Sequence, residues 1–116
     1  MTERGLVDEQ KRMALHPGVV FEGGPSGRRA VLASGPDVWQ VIKFLREVDE
    51  DGPDAVMAAV ETLRMSEAQV RIALDYYSAH PHEIDDEIRQ ADEEWLAAEA
   101  TWLADEQLLA WSMRPA

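Results

Sequence analysis

The chain has 116 residues, with 11 basic and 23 acidic side chains, a formal charge of −12 at pH 7 and no cysteine. That length suits one compact domain with a modest core and a protruding element. The lack of cysteine excludes disulfides, thiolate zinc sites and a cysteine nucleophile, and the net charge opposes phosphate binding over most of the surface.

Met1 is followed by Thr-Glu-Arg-Gly rather than a basic segment and a long apolar run. No stretch approaches the ~18 consecutive apolar residues of a membrane span. A cytoplasmic protein with no membrane contact is expected. The charge is uneven: residues 1–80 hold nine basic and thirteen acidic side chains, residues 81–116 two and ten. The last third repels phosphate and suits a basic protein partner.

Residues 1–15 mix Glu3, Arg4, Asp8, Glu9, Lys11 and Arg12, and fit either a short amphipathic helix over residues 6–13 or a frayed terminus. His16-Pro17-Gly18 punctuates the chain. Val19-Val20-Phe21-Glu22 and Arg28-Arg29-Ala30-Val31-Leu32 then flank the turn signal Gly23-Gly24-Pro25-Ser26-Gly27, which predicts a β-hairpin. The glycine-rich turn is no phosphate cradle, because its spacing matches no P-loop and no Lys-Ser/Thr follows it at a helix start.

Ser34-Gly35-Pro36-Asp37 opens a helix whose apolar stripe is Val38, Trp39, Val41, Ile42, Leu45 and Val48. Asp49-Glu50-Asp51-Gly52-Pro53 is expected to stop it. The acidic run lacks the alternating ligands and distal glutamate of a calcium loop, so it reads as a solvated turn.

From Asp54 to His80 the period gives two helices with a tight turn between them. Ala55, Ala59 and Leu63 share a face of the first; Val70, Ala73, Leu74 and Tyr77 share a face of the second. Tyr77 is expected in the core and Tyr76 half-exposed. Ser66 caps the second helix, and Gln69 completes a capping box. With the helix before them these form a three-helix, helix-turn-helix core of homeodomain-like type. Where such a motif binds DNA, the second helix enters the major groove by its N-terminal residues. Here those are Ser66, Glu67, Gln69 and Arg71, with Arg28, Arg29 and Arg64 as further candidates for DNA contact. Glu67 is unfavourable beside phosphate, so motif and charge disagree.

Pro81 cannot continue the preceding helix but can begin the next. No glycine or proline follows until Pro115, so residues 82–112 read as one helix, roughly 45 Å long. Ile84, Ile88, Ala91, Trp95, Ala98 and Trp102 alternate at four and three residues like a heptad seam, and Leu109 resumes it. The expected partner-binding residues are Ile84, Ile88, Trp95, Trp102, Leu103, Leu109 and Trp111. Three of the four tryptophans lie on this acidic helix, and tryptophan is enriched among interface anchors. A rival reading makes the same seam a homodimeric coiled coil through Ile84, Ile88, Trp95 and Trp102, with no DNA binding.

The organisation expected is therefore an N-terminal segment (1–15), a hairpin plus helix-turn-helix domain (16–80) and a long acidic amphipathic helix (81–116), mainly α. His80, His82, Glu83 and Asp86 cluster, but Pro81 bends the chain between the histidines and the acids suit a helix start. Neither a metal nor another cofactor is expected. No Ser-His-Asp or paired-carboxylate arrangement stands out, so enzymatic activity is not expected either.

From His16 to about Trp102, three-quarters of the chain, the sequence resembles the bacterial family grouped as domain of unknown function 433. The residues that carry the resemblance are Gly27, Arg28, Arg29, Val38, Trp39, Val41, Ile42, Ser66, Gln69, Val70, Arg71, Ala73, Leu74, Tyr76 and Tyr77. Family members often carry Arg-Gly-Thr-Arg before the central helix, where this chain has Gly27-Arg28-Arg29-Ala30. The resemblance implies an antitoxin of a type II toxin–antitoxin pair. Its usual partner is a PIN-like ribonuclease toxin, and such antitoxins typically dimerise and repress their own operon.

Overall fold

The computed structural model describes the backbone of residues 3–24 and 27–112, with side chains over residues 8–24 and 27–110. The described residues form a mainly helical fold in the order α1 (Glu3–Leu15), β1 (Val19–Gly24), β2 (Gly27–Leu32), α2 (Val38–Glu47), α3 (Gly52–Leu63), α4 (Glu67–Ala79) and α5 (Pro81–Ser112). No helix among them is long and apolar enough to cross a membrane.

The N-terminal segment is helical and longer than residues 6–13. Gly18 follows it with φ +98°, and a Cβ there would lie 2.8 Å from Ile72 Cδ1. The left-handed backbone favours glycine there, and a Cβ would also push the Ile72 terminal methyl aside. The hairpin is antiparallel, with Val19 opposite Leu32 and Gly24 opposite Gly27; Pro25 and Ser26 at its tip lie outside the described residues. A lone hairpin is marginal in water. This one is stabilised by burying Val19, Ala30 and Leu32 in the core shared with the helices.

Asp37 caps α2 in a capping box with Gln40, and Val38, Val41 and Ile42 are buried. The stretch 49–53 does follow the end of α2, but its glycine and proline belong to the next helix. α2 ends at Glu47 with Val48 as its C-cap, and Gly52 and Pro53 begin α3. Proline's fixed φ suits a first helical turn, where its missing N–H costs nothing. α3 buries Ala55 and Ala59, then stops at Arg64, a non-glycine residue in the left-handed region at φ 54°. Met65 is buried in the turn. Ser66 Oγ accepts the Gln69 N–H at 3.1 Å and Gln69 Oε1 accepts the Ser66 N–H at 2.9 Å, which is the predicted capping box.

The inward face of α4 is rotated from the one expected. Val70, Ala73 and Tyr76 are buried, whereas Leu74 is 37% exposed and Tyr77 only partly covered. α1 and the root of α5 close over Tyr76 from outside the three-helix cluster, an effect that the periodicity of α4 alone does not contain. The core is one cluster shared by the hairpin, α2, α3, α4 and the first turns of α5, where Ile84 and Ile88 sit. Pro81 opens α5, and one C-cap residue, His80, separates it from α4.

Candidate functional site

Two surfaces were expected, one at the start of α4 and one along α5. At the first, Ser66, Glu67 and Arg71 are exposed near the α4 N-terminus, with Gln69 partly buried beside them. Their polar groups are largely engaged within the chain. Gln69 spends its carbonyl oxygen on the cap, and its amide donates to the Ala33 carbonyl at 3.5 Å. Arg71 Nη2 lies 2.8 Å from Glu67 Oε1, one helical turn back. Arg64 has no ion-pair partner among the described residues, but its backbone is fixed as the α3 C-cap.

Arg28 and Arg29 do not extend this patch. Arg28 Nη2 is 2.8 Å from Glu9 Oε1 on α1, and Arg29 is bonded to Asp37 at the α2 cap. Both line a cavity against α5 instead. The expected DNA-contact set is therefore split between two regions, and six of its seven side chains (Arg28, Arg29, Ser66, Glu67, Gln69 and Arg71) are already partnered.

The root of α5 is held by polar ties that single-residue patterns did not reveal. Tyr76 Oη donates to Glu83 Oε2 at 2.5 Å and accepts from Arg12 Nη1 at 3.2 Å, and Arg12 also pairs with Glu83. Burial and the bond to Glu83 push the Tyr76 phenol above its ordinary pKa. Around this tyrosine pack His16 (centroids 5.0 Å apart), His80 (4.8 Å) and Phe21 (6.3 Å). His16 Nδ1 lies 3.0 Å from Asp75 Oδ2. Burial, together with Arg12, pulls the His80 imidazole below its ordinary pKa. On the other flank, Tyr77 Oη donates to Asp85 at 2.9 Å and Arg46 bonds to both. The Arg46 bond, then the Tyr77 bond, hold Asp85 below the usual carboxylate range. Lys43 on α2 pairs with Asp92.

Beyond Asp92 the helix changes character. Side chains from Glu93 to Ala110 are exposed, including Trp95 (71%), Leu96, Trp102 (58%), Leu103, Leu108 and Leu109. Trp95, Ala98 and Trp102 line a shallow, mostly apolar cleft with Glu99 at its edge. Ile84 and Ile88, expected among the partner anchors, are instead core residues at 0% and 7% exposure. The heptad seam starts inside the body, so its first two positions are already covered by α2 and α4. The Trp111 side chain lies outside the described residues.

No family model, curated protein or solved structure matches the chain.

Proposed function

We propose that the chain is a non-enzymatic, antitoxin-like binding protein of the cytoplasm whose α5 arm engages a partner protein. The observation that carries this reading is the run of exposed Trp95, Leu96, Trp102, Leu103 and Leu108 beyond Asp92, where Lys43 ties α5 to the body among the described residues. Exposed apolar surface of this kind is characteristic of protein-binding sites, and tryptophan is a favoured anchor. Residues 90–112 include six acidic and no basic side chains. A complementary groove is therefore apolar in its floor and basic at its rim. The PIN-like ribonuclease toxin implied by the resemblance is the proposed partner. β2 is bridged on its outer side at Val31 to Asp37, whereas β1 has no further strand beside it among the described residues, and that open edge supports a homodimer as the assembled form.

In this reading α2, α3 and α4 act as a helix-turn-helix hub of homeodomain-like type, with operator DNA as a second ligand. DNA contact requires Gln69 and Arg71 to exchange their present partners for bases and phosphates, so binding is weak and steeply salt-dependent. Absence of a gel shift on the protein's own promoter at low salt, with and without the partner protein, removes this part of the proposal.

The partner reading is tested by co-purifying the full chain with the product of the adjacent gene. Trp95→Glu combined with Trp102→Glu is expected to weaken the complex by at least about thirtyfold. The melting temperature should stay unchanged, since both side chains are exposed. A complex that survives both substitutions overturns the proposal. Self-association of the chain alone, abolished by the same pair, points to the homodimeric coiled coil instead.

A further inference from the structure

A cavity of about 570 Å³ opens between β2, the start of α2 and the first turns of α5. Five carboxyl side chains and two arginines line it, so its walls are net acidic. Both arginines are spent inside the chain, Arg28 on Glu9 and Arg29 on Asp37. Glu83 is likewise paired with Arg12, and Asp86 with Arg89 at 3.2 Å. Glu94 is exposed at the outer end, and Glu87 Oε2 is buried in the wall with no hydrogen-bond partner among the described residues. A carboxylate oxygen left without a donor is costly, and a cationic donor supplied from outside removes that cost.

The rest of the wall selects the shape of that cation. Trp39 lines the cavity, and its indole is fixed by the 3.1 Å bond that Nε1 donates to Asp37 Oδ2. An aromatic wall near a carboxylate suits a guanidinium, which is planar, stacks on indole and donates to carboxylate oxygens in pairs. The cavity also runs on into the apolar cleft of the arm. Glu87, Ala91 and Glu94 line the first, Ala98 and Trp102 the second. These five follow one another at steps of three and four residues, so cavity and cleft share one face of α5.

We propose that this cavity receives an arginine side chain of a partner protein, its guanidinium lying against Trp39 and pairing with Glu87. The proposal rests on the reading of α5 as the partner-binding arm, because a protein seated on Trp95 and Trp102 reaches the cavity mouth at Glu94. Glu87 Oε2 gives up no bond in turning toward the guanidinium. An anionic side chain in the same place is repelled by Glu87 and Glu94.

The test titrates the full-length protein at pH 8, where the Glu87 carboxyl is ionised, with the tripeptide acetyl-Gly-Arg-Gly-amide. The Trp39 indole N–H and the Gln90 side-chain amide are followed by NMR. Saturable shifts are expected at both, and none with the citrulline tripeptide, which keeps the shape without the charge. Glu87→Gln is expected to weaken binding at least about tenfold. So is Gln90→Lys, which sets a cation on the exposed rim and reads the site even if the first variant does not fold. Trp95→Glu with Trp102→Glu leaves tripeptide binding intact, since both side chains lie outside the cavity, so loss of the partner complex and loss of the arginine site are scored separately. The proposal is overturned by the absence of saturable shifts, by equal binding of the citrulline peptide, or by undiminished affinity in the folded variants. Spermidine bound more tightly than the arginine peptide also overturns it, and makes the cavity a polyamine site.

Discussion

Lys43 on α2 grips Asp92 on α5, and this pair marks where the long helix parts from the body. Upstream of Asp92, every two turns of α5 place a side chain in the core or in an ion pair; downstream the side chains face solvent. Lys43 also pairs with Glu47 at 3.0 Å, so its ammonium serves two carboxylates in a partly exposed setting. Lys43→Met is expected to leave thermal unfolding of the body nearly unchanged, because exposed ion pairs contribute little. It should speed amide exchange around Asp92 a few-fold at most. A large drop in melting temperature would mean that the pair anchors far more than the helix root.

Tyr76 is the most consequential single hydroxyl. It is the largest fully buried side chain, and its oxygen joins Arg12 and Glu83, so α1, α4 and α5 meet on one atom. Tyr76→Phe keeps the ring packing and leaves Glu83 short of one donor. The expected loss is about 1–2 kcal/mol in chemical denaturation. Tyr77→Phe removes a hydroxyl whose partners Arg46 and Asp85 are much more exposed, and is expected to cost less. Equal losses would contradict the assignment of Tyr76 rather than Tyr77 to the interior.

Ile88 offers a test of whether the root of α5 belongs to the body or to a partner. Ile88→Ala is expected to destabilise the isolated protein by about 2–4 kcal/mol, since it opens a cavity in the core. A partner anchor truncated in the same way leaves the isolated protein unaffected, and denaturant titration separates the two outcomes.

His80 contributes a stability that disappears on the acid side. Its pKa is lowered in the folded state, chiefly by burial and then by Arg12. The unfolded chain therefore takes up this proton first, from about pH 6.5 downward, and stability falls as pH drops through that point toward the depressed folded value. His80→Gln is expected to flatten this loss below about pH 6.5 in urea titrations. An unchanged acid limb in that variant would assign the loss to other groups. Glu87 acts with the opposite sign. Its raised folded pKa makes the native state hold a proton that the unfolded chain has released, so its contribution declines as pH rises from the ordinary carboxylate range to about 7.

Much of the architecture was legible because local rules determined it. Asp37, Ser66 and Pro81 mark helix starts through capping and backbone restriction, and all three begin helices here. The glycine-rich segment between two β-branched runs forms the hairpin for equally local reasons. What escaped the sequence depends on contacts between distant segments. The inward turn of Tyr76 follows from α5 packing on α4 and from Arg12 and His16 reaching the tyrosine. The engagement of Arg28 and Arg29 follows from Glu9 lying 19 and Asp37 lying 8 residues away. Glu87 is one of several acids in the first turns of α5, and only the fold, which brings Asp37 across the cavity from it, leaves it partly buried. Gly52-Pro53 was misassigned because the same pair can follow one helix or open the next, and the spacing to Ala55 decides in favour of α3.

The junction at His80 has a mechanical meaning. α4 and α5 are consecutive helices with one residue between them, bridged by the His80 N–H to the Tyr76 carbonyl at 2.9 Å and the Ile84 N–H to the His80 carbonyl at 3.4 Å. The direction of a helix roughly 48 Å long is thus set at a short root. A rotation of ten degrees about the point where it leaves Asp92 sweeps its far end by about 5 Å, roughly one helical turn. The arm is a lever: the same small rearrangement in the body that moves Trp95 by under about 1 Å reaches the far end of the helix as a large displacement.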